Sequence, residues 1–138
     1  MTVKGLSHAC FVVSDLERSV HFYRDLLGLP VAFEFTDEDG EAYGYYLHVG
    51  ARTFIELFRG EPEPTPGDAS YKHICLEVED IDEAERDLAE KGVEVTGKKL
   101  GNDRSWQAWI ADPDGNRIEL HQFTEESRQV AAMERLVG

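Results

Sequence analysis

The segments "HACFVVSD" (8–15) and "HICLEVED" (73–80) decide the fold, because they are two copies of one pattern. Each begins with His-x-Cys, continues as a short apolar run, and reaches an Asp seven residues after the His. A charged segment that closes on Gly28 or Gly92 follows each copy. The apolar runs predict strands and the charged segments predict helices. His8 and His73 stand 65 residues apart, and this ordered repetition indicates an internal duplication.

The rest of each half repeats as well. The halves close on similar strands, "TFIELF" (53–58) and "RIELHQF" (117–123), and each contains a turn segment, "DEDG" (37–40) before "AYGYYLHVG" and "DPDG" (112–115) before the closing strand. Each half therefore predicts the order β-α-β-β-β, with "VEVTGKK" (93–99) as the second strand of the second half. Because turns join most of these strands, the fold class is α+β, with two βαβββ modules.

The predicted boundaries make the whole chain, 1–138, a single domain. Module one covers about 5–60 and module two about 71–123, and a proline-containing linker, about 59–70, lies between them. An amphipathic helix is expected over about 125–137. Ser14 with Glu17, and Asp80 with Glu83, predict the N-terminal caps of the two module helices.

Composition excludes several classes of function. The formal net charge of −14 disfavours binding to nucleic acid and to anionic membrane surfaces. No apolar stretch approaches the roughly 20 residues of a membrane span, and the N-terminus lacks a signal-peptide pattern. Two cysteines, Cys10 and Cys75, form no disulfide framework, so a cytoplasmic location is expected. Both are most simply packing residues, and a pair that oxidises is the alternative.

Alternation along the strands places candidate metal ligands on one face of each module. His8 shares a strand face with Cys10, and His73 shares one with Cys75. A carboxylate between two Phe side chains, as at Glu56, is costly to bury unless it is paired or binds a metal. Glu119 is its counterpart in module two. If the modules pack about a pseudo-two-fold axis, two imidazoles and two carboxylates converge, a donor set that suits Zn, Ni, Co, Mn or Fe.

This layout resembles the vicinal oxygen chelate superfamily, the glyoxalase and bleomycin resistance fold. The resemblance covers about 5–123 and rests on "HACFVVSDLERSVHFYRDLLGL", "KHICLEVEDIDEA" and "DPDGNRIEL". It implies paired modules that form a curved mixed sheet around a cavity with one divalent metal. The family's ligand positions fall on His8, Glu56, His73 and Glu119, the set found in bacterial glyoxalase I.

The resemblance implies a metal-dependent lyase or isomerase that moves a proton next to a carbonyl through a metal-bound enediolate. Glu119 or Glu56 would carry the proton. Glutathione as the thiol is disfavoured, because Val12 stands where glyoxalase I has an arginine; Arg52, Arg59 and Arg104 are candidates to hold an anionic substrate instead. The partner is then a small molecule, and a homodimer is expected.

Other functions on the same fold stay open. An aromatic cavity would suit a drug-sequestering protein of the bleomycin resistance type. An extradiol dioxygenase needs Fe or Mn on two His and one Glu, and a fourth ligand at Glu56 counts against it. An epimerase of acyl thioesters would use the same proton chemistry. His121 shares a face with Glu119 and is a candidate for supporting the ligand shell.

Overall fold

The computed structural model describes residues 1–137, and the chain divides into two compact units, Met1–Pro64 and the part from Thr65 onwards. The first unit contains β1 (His8–Val13), α1 (Leu16–Val20), β2 (Val31–Thr36), β3 (Ala42–Gly50) and β4 (Thr53–Arg59). A π-helical segment, His21–Leu26, continues α1. The strands form one sheet in the order β1-β4-β3-β2, in which only β1 and β4 are parallel.

The second unit has the same topology. It contains β5 (Ile74–Glu77), α2 (Ile81–Glu90), β6 (Lys99–Leu100), β7 (Trp106–Ala111), β8 (Arg117–Gln122) and a C-terminal helix, α3 (Arg128–Val137). Its sheet order is β5-β8-β7-β6, and again only the first pair is parallel. Two mixed four-stranded sheets with helices confirm the predicted α+β class.

Each sheet has one buried face. In the first unit, Ile55 and Leu57 of β4 are at most 2 % exposed, and Val20 and Tyr23 are fully buried. In the second unit, Ile118 and Leu120 of β8 have the corresponding role, and Ile81 of α2 is fully buried. Burial of such side chains stabilises each unit by about 1.5–3 kcal/mol per residue. Because successive strand residues point to alternate faces, Glu56 lies on the face opposite to Ile55 and Leu57 in its sheet, and Glu119 on the face opposite to Ile118 and Leu120.

The module helices begin at equivalent aspartates. Asp15 accepts a hydrogen bond from the Arg18 backbone N–H, and Asp80 accepts from Asp82 and Glu83. The predicted cap at Asp80 is therefore confirmed, whereas the predicted Ser14 cap is wrong by one residue. The Asp15 carboxylate accepts from the N–H of Arg18, one of the free donors of the first helical turn, which makes Asp15 the cap.

Two turn segments share one hydrogen-bond pattern although they stand at different places in the modules: residues 37–40 join β2 to β3, and residues 112–115 join β7 to β8. The side chain of Asp37 accepts from the backbone N–H groups of Asp39 and Glu41. The side chain of Asp112 accepts from the backbone N–H groups of Asp114 and Asn116. Each turn ends in a glycine with positive φ, 81° at Gly40 and 83° at Gly115, a conformation that glycine adopts without strain. The two turns therefore have the same local hydrogen bonds, but they join different pairs of strands in their modules.

The prediction of a strand over 93–99 is wrong for most of its length. Strand pairing begins only at Lys99, in β6. Upstream, Thr96 uses its side-chain oxygen to accept from the Trp109 N–H and its own N–H to donate to the Trp109 carbonyl. The Thr96 hydroxyl thus takes the place of a backbone acceptor opposite Trp109. Regular pairing between β6 and β7 is limited to Lys99 and Leu100.

The C-terminal helix is present and begins at Arg128, three residues later than predicted. Ser127, which is fully buried, precedes it and contacts the Ser105 hydroxyl at 2.8 Å. Within residues 1–137, every helix is too short or too polar to cross a membrane.

Candidate metal centre

In the first unit, His8 and Glu56 lie on the same open sheet face. Parallel pairing of β1 and β4 sets His8 beside Phe54 and Cys10 beside Glu56. The His8 Nε2 atom is 3.9 Å from Glu56 Oε1, and the two side chains are 41 % and 16 % exposed. The Cys10 thiol also hydrogen bonds to Glu56. The predicted pair therefore meets within this unit.

An aromatic cluster surrounds Glu56. Its rings contact one another at centroid separations between 4.6 Å (Phe33 to Tyr46) and 6.4 Å (Phe35 to Tyr46). The cluster consists of Phe33, Phe35, Tyr43, Tyr46, Phe54 and Phe58. Gly44 makes room for it, because a Cβ there would lie 2.6 Å from the Phe58 ring. This face can bind flat apolar groups next to a carboxylate.

In the second unit, His73 and Glu119 are in direct contact. His73 immediately precedes β5, and Glu119 pairs with Cys75 in the β5–β8 ladder. The His73 Nε2 atom is 2.9 Å from Glu119 Oε2. Trp109 packs edge-on against the His73 ring at 4.7 Å, and the Arg117 guanidinium lies 4.2 Å from the Trp109 ring. The second predicted pair also meets within its own unit.

Glu119 has a second histidine partner. The His121 Nε2 atom lies 2.9 Å from Glu119 Oε1 and 3.5 Å from Asp103 Oδ2. The Gln129 side-chain amide donates to Asp103 Oδ2 at 2.7 Å, and the Ser105 N–H donates to Oδ1. The sequence indicated His121 as a candidate neighbour of Glu119, because the two residues share a strand face. Asp103 and Gln129 were missed, because a loop and a helix bring them to the site and no strand period indicates such residues.

Ionisation of the neighbouring groups follows from these contacts. The Gln129 hydrogen bond is the main reason why the pKa of Asp103 lies below its usual value, so Asp103 is a carboxylate at neutral pH. Partial desolvation, followed by the carboxylate of Glu56, raises the pKa of Cys10 to about 11. Desolvation and Glu119 raise the pKa of Cys75 to about 12. Both cysteines are free thiols, and both are neutral at physiological pH.

The predicted anion-holding arginines lie in different surroundings. Arg52 lines a cavity of about 480 Å³ in the first unit, together with Lys4 and Phe54. Arg59 is exposed at the end of β4, and Arg104 is exposed with a left-handed φ of 67°. Arg52 thus lies beside a cavity whose lining includes Phe54, a residue of the aromatic cluster.

The donor atoms in each unit fit a divalent metal ion. An imidazole nitrogen and a carboxylate oxygen face each other on an open sheet face in both units. Neutral imidazole and carboxylate are ligands that Zn, Co, Ni, Mn and Fe accept. A further group of possible ligands, formed by Cys75, Glu119 and His121, has donor atoms within 4.8 Å of one another.

The chain is similar in sequence to other proteins over most of its length. The chain is 34% identical over 122 residues to the uncharacterized protein YraH of Bacillus subtilis, covering 81% of this chain and 93% of that protein. It is 31% identical over 133 residues to a metallothiol transferase FosB of Staphylococcus epidermidis, covering 91% of this chain and 88% of FosB.

A solved structure and a family model complete the comparison. TnmS3, an antibiotic binding protein from Streptomyces sp. CB03234, superimposes with a TM-score of 0.74 at 30% identity, covering 90% of this chain and 99% of TnmS3. The family model described as Glyoxalase/Bleomycin resistance protein/Dioxygenase superfamily matches residues 5–120. A match over that span, with the duplicated fold, means that the chain belongs to the glyoxalase/bleomycin resistance protein/dioxygenase superfamily.

Proposed function

We propose that this protein is a divalent-metal enzyme of the glyoxalase type, a lyase or isomerase that moves a proton next to a carbonyl of a small substrate. The observation that carries the proposal is the presence of one histidine–glutamate pair on the open face of each unit, at equivalent strand positions. A protein that only sequesters a drug does not need two such pairs, whereas a metal site with four donors does.

The proposed ligands are His8, Glu56, His73 and Glu119. When bound, the ion would polarise the substrate's oxygen atoms and stabilise the negative charge that develops as the proton leaves. Zn, Ni, Co, Mn and Fe are all compatible with these donors.

The two glutamates differ in how firmly they are held, and this difference suggests separate roles. Glu119 has a histidine within 2.9 Å of each oxygen. Glu56 has His8 at 3.9 Å and the weak Cys10 thiol donor. Glu119 is accordingly the anchored ligand. Glu56 is the better candidate to accept the proton from the carbon next to the carbonyl and return it to the neighbouring carbon.

Features of the first unit suggest the character of the substrate. The aromatic cluster suits an apolar group, and the nearby cavity with Lys4 and Arg52 suits a carboxylate or another anionic group. Val12, in the position of the glutathione-binding arginine of glyoxalase I, is 45 % exposed and offers no charge. Hemithioacetals of methylglyoxal with thiols smaller than glutathione are therefore the first substrates to test.

The test combines metal analysis with turnover. Protein purified without chelator should contain about one divalent ion per chain, and Zn, Co or Ni should restore activity after EDTA treatment. Proton exchange at the substrate carbon, followed by NMR in D₂O, should depend on that ion. A protein that binds no divalent ion at neutral pH would exclude this proposal.

Transfer of a thiol is the second candidate activity, because a relative at 31% identity is a metallothiol transferase. The same four donors would hold the ion, and the thiol would add to an electrophilic carbon such as an epoxide. Metal-dependent consumption of thiol with a small epoxide, without proton exchange on hemithioacetals, would favour this candidate.

Binding without catalysis is the third candidate. The aromatic cluster and the 30% identity to the antibiotic binding protein TnmS3 favour it. Tight binding of a flat aromatic compound to protein treated with EDTA, with no turnover in any metal form, would support this function over the other two.

A further inference from the structure

The Glu119 carboxylate contacts two histidines, one at each oxygen, and these histidines differ in exposure. His73, at Oε2, has a side chain that is 33 % exposed, and His121, at Oε1, has one that is only 11 % exposed. Glu119 and His121 share one face of β8, since they are two residues apart, and the contact at Oε1 involves the more buried histidine. Oε2 lies beside the more exposed His73.

His121 makes two further contacts besides the one with Glu119. Its Nε2 atom, which contacts Glu119, is also 3.5 Å from the Asp103 carboxylate, and the Phe123 ring packs edge-on against the imidazole with centroids 6.0 Å apart. The Nε2 atom of His121 is therefore already engaged by the carboxylates of Glu119 and Asp103.

Asp103 is fixed by two further elements. The Ser105 N–H donates to one of its oxygens and the Gln129 amide to the other. The Arg128 N–H donates to the Asp103 carbonyl at 2.8 Å, which ties the start of α3 to the same loop. A continuous series of contacts therefore runs from α3 through Asp103 and His121 to Glu119.

We infer that His121, supported by Asp103 and Gln129, is a positioning residue that orients Glu119 for metal binding and is not itself a ligand. This inference rests on the proposed function, because it assumes that Glu119 binds the ion. Outer hydrogen-bond partners of this kind orient ligands, and their loss typically lowers metal affinity about 10–100-fold. The C-terminal helix then has a specific role, since it supplies Gln129 to the series.

The experiment compares metal affinity and ligand field in matched variants. His121→Phe places in module two the residue that module one has at the equivalent position, Phe58, and removes the donor while keeping a ring. His121→Gln retains an N–H donor at a similar distance. His21→Phe, on an exposed part of the first helix, is the matched control. Each is titrated with Co²⁺ against a chromophoric chelator, and the visible spectrum of the cobalt form is recorded.

Expected results are a loss of about 10–100-fold in Co²⁺ affinity and a shifted cobalt spectrum for His121→Phe. Recovery to within about threefold is expected for His121→Gln, and wild-type behaviour for His21→Phe. Asp103→Asn should give an intermediate loss. Thermal unfolding of the metal-free proteins checks that His121→Phe folds. If it does not fold, the comparison of Asp103→Asn and Gln129→Ala with wild type decides.

Two outcomes would overturn the inference. The first is wild-type affinity in both His121→Phe and Asp103→Asn. The second is a cobalt form with thiolate charge-transfer absorption that Cys75→Ser abolishes, because the ion would then bind the Cys75, Glu119 and His121 group directly. A wild-type protein that binds no Co²⁺, Zn²⁺ or Ni²⁺ at all would instead show that the proposed function itself has failed.

Discussion

The open sheet faces of the two units have the same plan and different surroundings. Both place a glutamate of the last strand opposite a cysteine of the first, at Cys10–Glu56 and Cys75–Glu119. Two residues beyond the glutamate, module one has Phe58 in an aromatic cluster, and module two has His121 in a polar series. One duplicated backbone thus supports an apolar surface in one copy and a glutamate between two histidines in the other.

This difference teaches that equal donors need not have equal roles. The contact of Glu119 with His73 is 2.9 Å and that of Glu56 with His8 is 3.9 Å. A carboxylate restrained on both oxygens is suited to hold an ion, and a carboxylate with one weak thiol donor is freer to move a proton. The variants below test the comparison between modules.

The largest effect is expected from Glu56→Gln. Loss of a proton carrier should lower turnover about 10²–10⁴-fold, since general acid–base catalysis contributes that much. Metal affinity should fall less than turnover, because three donors are retained. Steady-state rates and chelator competition on the same preparation measure both quantities, and equal losses in the two would contradict a separate role for Glu56.

Glu119→Ala should act mainly on the metal. Removing an anchored ligand should weaken affinity by more than the roughly 100-fold upper limit for outer partners. The matched change Glu56→Ala should cost less affinity, because Glu56 is less constrained. Isothermal titration with Zn²⁺ compares the two, and the opposite order would reverse our assignment of the anchored ligand.

Burial of the core should be equally important in the two modules. Leu57 and Leu120 follow the two glutamates and are 0 % and 2 % exposed. Leu57→Ala and Leu120→Ala should each lower the free energy of unfolding by about 2–5 kcal/mol. Urea denaturation of the metal-free proteins provides the values, and a loss below 1 kcal/mol in either variant would show that its core is less tightly packed than described.

The thiols provide a test that depends on pH. The pKa is raised to about 11 at Cys10 and about 12 at Cys75, so both remain protonated at pH 8 and the reactive thiolate grows only as the pH approaches those values. Alkylation of metal-free protein by iodoacetamide at pH 8 should therefore be slow beside that of free cysteine, and slower at Cys75 than at Cys10. Mass spectrometry of the modified peptides resolves the two sites, and rapid labelling of Cys75 would contradict its desolvation.

The smallest effects are expected at the helix caps. Asp15 accepts one backbone N–H and Asp80 accepts two. Replacement by Ala should cost about 1 kcal/mol, with the larger loss at Asp80. Thermal unfolding of the two single variants makes the comparison, for which Asp39→Ala in an exposed turn serves as a control. Equal losses would mean that the second hydrogen bond of Asp80 adds nothing measurable.

The sequence by itself determined the duplicated topology and the two donor pairs. Hydrophobic alternation defines which face each strand residue occupies, so His8 with Glu56 and His73 with Glu119 followed from parity and from the family resemblance. The cap at Asp80 and the turns ending at Gly40 and Gly115 followed from local residue preferences, which act over a few residues.

Only the tertiary structure decided which loop and helix residues support Glu119. Asp103 and Gln129 come from a loop and a terminal helix, and nothing periodic in the chain links them to Glu119. The late start of the strand predicted over 93–99, at Lys99, also involves a long-range contact, that of Thr96 with Trp109. Local sequence specifies the direction in which a side chain points, whereas its partners are chosen by the packing of segments distant in the chain.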